Sequence, residues 1–392
     1  MLGERKLKTG KIIIEGIPQR LAHLRKKINE FFIITNVETL RNDAIIKELQ
    51  SGVNKIDMII FDEVQKCKSP TAEQGKNLLK LMSAHYKIAM TGTPLTNSPL
   101  DAYVPLKWIG VERSTFTNFK HYYCKFGGEF GNILIGYKNL DLLKETIEKY
   151  SLRRTKDLLD LPEKTIINEY VEMELDQESF YEEVKAGVRD QIDKVKLTST
   201  NLLALTTRLR QATDFPGILS TKNISCSKLD RAESLTEEMI SNNEKVVIFS
   251  SFKDTVYELQ RRLSKYNPVV ITGDTKDSDI EPLKKEFQEN PDRKVFIATH
   301  QKMGTGQTLT AASYMIFIST PWTDADYVQA QDRIHRIGAK KPVFIYNLIT
   351  KNTIDERVLE IVQDKGAIAD YVIDDKITEQ GLNSLRKYLE EI

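Results

Sequence analysis

At 392 residues the chain exceeds one ordinary core, which points to two domains. Hydrophobic residues at 40% and charged residues at 29% exclude a disordered or fibrous protein. With 57 Lys and Arg against 56 Asp and Glu the net charge is +1, so bulk charge favours no polyanionic partner and any nucleic-acid surface has to be a local patch. Cys67, Cys124 and Cys226 lie far apart and match no metal or redox spacing, as suits reduced thiols in a cytosolic setting. Neither a signal-peptide core nor a run long enough to cross a bilayer is evident, so the expectation is a cytoplasmic protein with no membrane partner. Abundant Lys, Ile and Asn hint at a bacterial or phage source.

Along the chain, KIII at Lys11–Ile14 and FFIIT at Phe31–Thr35 are short apolar runs separated by the mixed charges of Arg20–Glu30, which suit a helix or an exposed connection. MIIF at Met58–Phe61 ends abruptly in Asp62-Glu63-Val64-Gln65. Apolar runs of this kind suit strands buried on both faces, as in a parallel sheet. Ligands of such sheets sit beyond the carboxyl ends of the strands, so Asp62 and Glu63 occupy a chemical position. The pattern then repeats: Leu78–Met82 reads as helix, Lys87–Met90 as strand, and Thr91-Gly92-Thr93-Pro94 as the tight turn after it. The hydroxyls and glycine of that turn serve either a ligand or a neighbouring lobe, and a structural turn uses the same residues. Phe116–Gly136, with its GGEFG, reads as a hairpin or surface loop, and Asp141–Tyr150 as a helix that runs into the basic, proline-ended SLRRTKDLLDLPEK.

Helical spacing returns at Asp176–Lys196 and Leu202–Ala212, until Pro216-Gly217 breaks the chain. From Lys245 onward the apolar runs Val246–Phe249, Val269–Ile271, Val295–Ala298, Met315–Ile318 and Val343–Tyr346 alternate with helix-like stretches such as Lys253–Lys265 and Ile280–Glu289. Such alternation predicts a doubly wound parallel sheet, and hence two α/β lobes with a cleft between them. Gly304-Thr305-Gly306-Gln307-Thr308 follows one of these strands and offers backbone amides at a helix start, where anions bind. Pro321-Trp322 follows another, its ring available either to stack on a ligand or to pack between strand and helix. Next comes QAQDRIHRIG, Gln329–Gly338, in which a helix would project Gln329, Arg333 and Arg336 from one face together with Asp332. Two guanidiniums so placed suit phosphate oxygens, each presenting a rigid fork of donors that keeps its charge.

In this order the pieces resemble the SWI/SNF-type branch of the superfamily two helicase-like ATPases, related to the DEAD/DEAH-like proteins, over nearly the whole chain. The resemblance rests on TNVETLRND, FDEVQKCKSP, AMTGTPLTN, SLRRTKDLLDLPEK, RLRQATDFP, KVVIFSSF, GTGQTLTAAS, PWTDADYVQAQDRIHRIG and TIDERV. It implies two RecA-like lobes, the first incomplete, with helical insertions between them. The expected limits are a partial ATP-binding lobe over 1–155, a helical linker over 156–240, a second helicase lobe with arginine fingers over 241–365 and a helical tail over 366–392. It also implies ATP and Mg²⁺ as cofactors and double-stranded DNA as partner. Asp62 would hold Mg²⁺ through water, and Glu63 would orient or deprotonate the water that attacks the γ-phosphate. Arg333 and Arg336 would reach the developing charge across the cleft. Gln329, Gly304 and Gly306 would contact nucleotide; Thr91, Gly92, Thr93, Thr305 and Trp322 would contact DNA or couple the lobes.

Departures from the family pattern are Gln65 in place of a common histidine, Ala339 after HRIG in place of glutamine, and Asp214-Phe215-Pro216 in place of Asn-His-Pro. A larger one is the lack of any G-x-x-x-x-G-K-S/T; neither Lys8–Lys11 nor Gly75-Lys76 has the glycine spacing and hydroxyl. The expectation is therefore a DNA translocase either truncated at its N-terminus or completed by a separate, P-loop-bearing N-terminal polypeptide, inactive or weakly active alone, whose first lobe keeps an uncovered sheet edge or apolar face. The alternative is a non-catalytic DNA-binding or interaction module derived from such an ATPase.

Overall fold

The computed structural model describes residues 4–6, 12–14, 16–50, 53–92, 98–128, 133–154, 158–194, 199–300, 302–303, 308–322, 324–363, 372–373, 376–377 and 387–389. The chain divides into two compact units, Met1–Arg153 and Arg154–Ile392.

The first unit opens with an antiparallel pair, β1 (Glu4–Lys6) and β2 (Ile12–Ile14), followed by α1 (Ile17–Leu24) and α2 (Asp43–Gln50). Phe31–Thr35 forms no strand, contrary to the reading of its apolar run. Phe31 and Phe32 are exposed and only Ile33 packs inward, beside Leu24 and Ile45. The turn before it is set instead by Asn54, whose side chain donates to Leu24 O at 2.6 Å and accepts from Ile28 N at 2.7 Å. Then come β3 (Met58–Phe61), α3 (Glu73–Lys80), β4 (Tyr86–Ala89), α4 (Tyr103–Ile109), α5 (Phe116–Tyr123), the antiparallel hairpin β5 (Cys124–Gly127) and β6 (Ile133–Tyr137), and α6 (Leu140–Tyr150). Residues 129–131, which complete GGEFG, and residue 132 lie outside the described set.

β3 and β4 pair in parallel, Met58 opposite Tyr86 through Phe61 opposite Ala89. Their inward residues Ile59, Phe61 and Ala89 join a core with Leu78 of α3 and the fully buried Trp108 of α4, whose indole donates to Leu81 O at 3.0 Å. Burial on both faces, expected from the unbroken apolar runs, is not what the strands show. Met58, Ile60, Tyr86 and Ile88 point outward, Ile60 at 52% exposure. α3 and α4 cover one face, and among the described residues nothing covers the other.

α3 approaches the loop ahead of it so closely that a Cβ on Gly75 would lie 2.0 Å from Ser69 O. That neighbour is backbone and cannot rotate away. Gly75→Ala is therefore expected to destabilise the first unit by about 3 kcal/mol, at the upper end for overpacking, read as a fall in the denaturant midpoint of Trp108 fluorescence; a shift below about 0.5 kcal/mol would show that α3 is free to move aside.

The second unit is built on a six-stranded, all-parallel sheet. Its strands are β7 (Lys164–Val171), β8 (Val246–Ser250), β9 (Val269–Ile271), β10 (Val295–Thr299), β11 (Tyr314–Phe317) and β12 (Val343–Thr350), in the order β7-β12-β11-β8-β10-β9. Five of these carry the apolar runs read from the sequence. β8 and β10 are buried at every position, as strands covered on both sides must be. Val247 and Phe249 face α7 (Leu175–Lys194), α8 (Ser199–Asp214), α11 (Asp277–Glu289), α12 (Asp324–Gln331) and α13 (Ile354–Gln363). Val246 and Ile248 face α9 (Ser227–Ser241) and α10 (Lys253–Arg262) on the other side. A short antiparallel pair, β13 (Val372–Ile373) and β14 (Lys376–Ile377), lies near the C-terminus.

The sixth strand, β7, lies in the stretch read as helical linker. Its alternating exposure marks an edge strand with one face in contact with the unit, a period-two signal in KTIINEYV masked by its polar residues. α8 and α9, also read as linker, pack on opposite faces of the same sheet.

Candidate functional site

In the first unit the polar residues gather where the parallel strands end. Met90 N donates to Phe61 O at 2.8 Å and Val64 N to Met90 O at 3.0 Å, which carries the pairing past the strands and sets Asp62-Glu63 beside Thr91-Gly92. Asp62 is exposed and Glu63 half-buried. Thr93 lies outside the described residues. Glu63 has φ 55° and ψ 50°, in the left-handed region. The other non-glycine residues described there, Asn139, Asn243, Asn267 and Asn352, belong to the type that tolerates it. For a glutamate the conformation costs on the order of 1 kcal/mol and persists because its surroundings dictate it. Those surroundings are the bonds on either side: Lys66 N donates to Glu63 O at 3.0 Å, and the Gln65 amide donates to the Glu63 carboxylate. Gln65, noted above as a departure, thus orients the second acid.

In the second unit the arginines do not share a helical face. α12 ends at Gln331, and the chain continues through tight turns, Arg333 N to Ala330 O at 3.2 Å and Ile334 N to Gln331 O at 3.2 Å. Past this point Arg333, Ile334 and His335 are buried in succession, with Ile334 in the core. Gly338, at φ 106°, then ends the segment, and His335 bonds Pro162 O at 2.8 Å. Arg333 is buried, 4% exposed, while Arg336 is exposed. Gln329 is half-buried on α12. Gly304, Thr305 and Gly306 lie outside the described residues, but the residues flanking them are the ones the arginines reach. Arg333 Nη1 donates to Met303 O at 3.1 Å, Arg336 Nη1 reaches Thr308 Oγ1 at 3.5 Å, and Leu309 N donates to Arg333 O at 2.7 Å. Burial pushes the Arg333 guanidinium down to about 10 against the pull of Asp326 and Asp332, which leaves it cationic at neutral pH.

Trp322 packs against the core, under the Arg210 guanidinium at 4.4 Å from the ring centroid. Arg210 belongs to a buried charge cluster that the sequence reading passed over as separate motifs. Lys228 Nζ lies 3.0 Å from Asp214 and 2.6 Å from Asp355, and all three side chains are buried at the carboxyl ends of β8 and β11. Burial pulls the Lys228 pKa down, but Asp214 and Asp355 outweigh it and raise it above the ordinary lysine value. The available signal was Arg210 and Asp214, one helical turn apart, both flanked by the apolar stripe of α8.

His300 follows β10 with its Nδ1 buried and no partner for it among the described residues. Burial, then the nearby Arg210 and Arg333, pull its pKa from 6.5 to about 4. Because the folded value is depressed, this contribution to stability is complete above pH 6.5 and is lost as pH falls toward 4, where the unfolded chain binds the extra proton. The second unit is expected to lose roughly 3 kcal/mol across that window. Denaturant titrations at several pH values should show the slope flatten in His300→Gln; an unchanged slope would assign it to other groups.

A doubly wound parallel sheet with polar turns along its carboxyl edge, preceded by a unit whose parallel strands end in paired acids, defines an α/β protein of the helicase type. The chain belongs to the SNF2-related family: the SNF2-related domain matches residues 4–218, and the helicase conserved C-terminal domain matches residues 227–338. That family comprises ATP-dependent helicases and ATPases. A Mycoplasma pneumoniae protein named as an uncharacterized ATP-dependent helicase is 28% identical over 365 residues, 91% of this chain and 34% of the relative. The Zorya protein ZorD of Escherichia coli is 27% identical over 362 residues, 86% of this chain and 33% of its own length. The DNA repair and recombination protein RDH54 of Saccharomyces cerevisiae is 27% identical over 352 residues, 81% of this chain and 38% of the relative. The chain thus spans about a third of the length of these curated relatives. Among solved structures, a Sulfolobus solfataricus SWI2/SNF2 ATPase core in complex with dsDNA is 24% identical, covers 89% of this chain and 75% of that one, and superposes with a TM-score of 0.49. Among the described residues no helix is long and apolar enough to cross a membrane.

Proposed function

We propose that this chain is the motor part of an ATP-driven translocase on double-stranded DNA, working in the cytoplasm and completed by a phosphate-binding loop from a further polypeptide segment. The observation that carries the reading is the acid pair: Asp62 exposed at a strand's carboxyl end, and Glu63 held in a left-handed conformation with Gln65 on its carboxylate. The name of RDH54, a DNA repair and recombination protein, supports the choice of DNA.

The residues fit Mg²⁺ that arrives with nucleotide. Among the described residues no group of three or more His, Cys, Asp or Glu stands ready for a metal. Asp62 would hold such an ion by a single carboxylate, the sparse protein ligation that suits Mg²⁺, and the ion would supply charge neutralisation at the phosphates. ATP supplies the phosphoryl group that water attacks. In this reading Asp62 would hold the ion through water, and Glu63 orients the attacking water and takes up its proton. Arg336, the exposed guanidinium, meets the charge that develops on the phosphate. Arg333 holds the Met303 end of the segment carrying Gly304, Thr305 and Gly306, and Gln329 contacts nucleotide. Thr91, Gly92 and Thr93 couple this chemistry to DNA, with Thr305 and the Trp322 turn on the second unit. The outward face of β3 and β4 offers the missing loop's strand and helix an apolar seat, since parallel strands are covered on both sides.

The test is hydrolysis of ATP by the chain, with and without duplex DNA, alone and with a purified segment bearing the phosphate loop. Duplex-stimulated hydrolysis only when both are present is the expected result. Hydrolysis by the chain alone would remove the split-motor part of the reading. Duplex binding with no hydrolysis in any combination would replace it with a non-catalytic DNA-binding module.

A further inference from the structure

The turn between β11 and α12 hangs from charged side chains of two helices far earlier in the chain. Lys228 of α9 donates to Ile318 O at 2.9 Å. Asp214 of α8 accepts from Ser319 Oγ, which itself accepts from Ser251 N at 2.8 Å. Arg210, one turn earlier in α8, donates from Nη2 to Thr320 O at 2.6 Å while its guanidinium lies over the Trp322 ring. Each of Ile318, Ser319, Thr320 and Trp322 is thus gripped by one ionic side chain, all of them fully buried.

Stability does not explain the arrangement. Each buried ion costs several kcal/mol in desolvation, and apolar residues of similar volume commonly fill such a site at equal or greater stability. What an ionic set adds is direction: bonds to chosen carbonyls and a chosen ring face. Arginine suits this because one planar group can donate in its plane and stack through its face, whereas lysine offers a point charge. The turn it grips leads into α12, an eight-residue helix that carries Gln329 and passes at once into the Arg333–Arg336 turn.

We propose that Arg210 is a positioning residue that locks the Thr320–Trp322 turn, and through it fixes where α12 and the Arg333–Arg336 turn are presented. The second half of this inference rests on the motor reading above; the lock on the turn does not.

The sequence contains two tryptophans, Trp108 in the first unit and Trp322, so the full chain labelled with 5-fluorotryptophan gives two ¹⁹F signals, assigned with Trp322→Phe. Arg210→Lys keeps the charge on a slightly shorter stem, and Arg210→Met removes the charge. In Arg210→Lys the Trp322 signal is expected to shift and broaden, with roughly threefold faster acrylamide quenching as the stacked planar guanidinium is lost, while the Trp108 signal stays in place. Arg210→Met should move the Trp322 signal further. An unmoved Trp322 signal in either folded variant overturns the proposal, and so does failure of Arg210→Lys to fold, which would make the residue merely structural. Loss of folding in Arg210→Met alone leaves the lysine variant to decide. In the complemented hydrolysis assay Arg210→Lys should lower kcat by about tenfold to a hundredfold, with KM for ATP within about twofold. An unchanged kcat with a displaced Trp322 would sever the turn from the arginines. If the wild-type chain never hydrolyses ATP, the motor reading has failed while the fluorine signals still test the lock.

Discussion

Arg336→Ala should lower kcat of complemented, duplex-stimulated hydrolysis by about 10³-fold or more, the magnitude ordinary for an arginine that meets a transferring phosphoryl group. KM for ATP should stay within a few-fold, because the side chain acts on charge that appears only in the transition state. Folding stability should change by less than about 0.5 kcal/mol, since Arg336 is exposed and its contact with Thr308 is long, at 3.5 Å. Arg333→Ala is expected to differ. Its side chain is 4% exposed and donates to Met303 O, so removing it opens a cavity and strands a carbonyl, and both stability and kcat fall. A chain with Arg336→Ala that still hydrolyses ATP within about tenfold of wild type would take the exposed arginine out of the phosphate's reach. Glu63→Gln should give a loss of similar size, because the amide keeps the backbone strain and the shape but cannot accept a proton.

Lys228→Met should destabilise the second unit by about 3–5 kcal/mol, the usual penalty for leaving buried charge uncompensated. The two cations and two carboxylates of Arg210, Lys228, Asp214 and Asp355 balance, and Lys228 touches both acids. Without it, Asp214 and Asp355 face one guanidinium that points at Thr320 and Trp322. Adding Asp355→Asn should restore at least half of the loss, because the amide oxygen can still accept from Thr350 N, the amide nitrogen can donate to Thr213 Oγ1, whose own hydrogen goes to Arg210 O, and the surplus charge is gone. Guanidinium chloride unfolding of the two single variants and the double gives the coupling directly. Additive losses would mean that the lysine and Asp355 act independently, against the geometry.

Much of the second unit was legible because its strands are covered on both sides. VVIF, VFIA and MIFI need no polar residues, so they stand out as unbroken apolar runs bounded by turns. β7 was missed for the converse reason: an edge strand with one face in solvent carries Lys164, Asn168 and Glu169, and charge hid its alternation. FFIIT misled because composition cannot report whether a partner strand exists. In the site, Asp62 and Glu63 were readable from their place after MIIF, and Thr91 and Gly92 from theirs after KIAM. The strain at Glu63 was not, since no residue-type pattern marks a left-handed glutamate, and it shows only in the bonds from Lys66 N and Gln65 and in the pairing of the next residue, Val64, with Met90. The break in the helix at Gln331 was hidden as well: the spacing of Gln329, Arg333 and Arg336 satisfies a helix, yet the chain passes there into tight turns.

β7 has a further consequence, for how the chain is made. Its partner β12 lies 179 residues downstream, in register from Lys164 opposite Val343 to Val171 opposite Thr350. At the usual pace of synthesis the ribosome needs roughly 10–35 s to deliver that partner. During this interval Lys164–Val171 waits with its hydrogen-bonding groups unclaimed, and no local hairpin can satisfy them, since a parallel strand needs a crossover. Met1–Arg153 has been synthesised by then, whereas the second unit cannot close its sheet until nearly its whole length has emerged. The order of folding is thus written into the topology, and the charges that hid β7 from the sequence reading are the ones that keep it soluble while it waits.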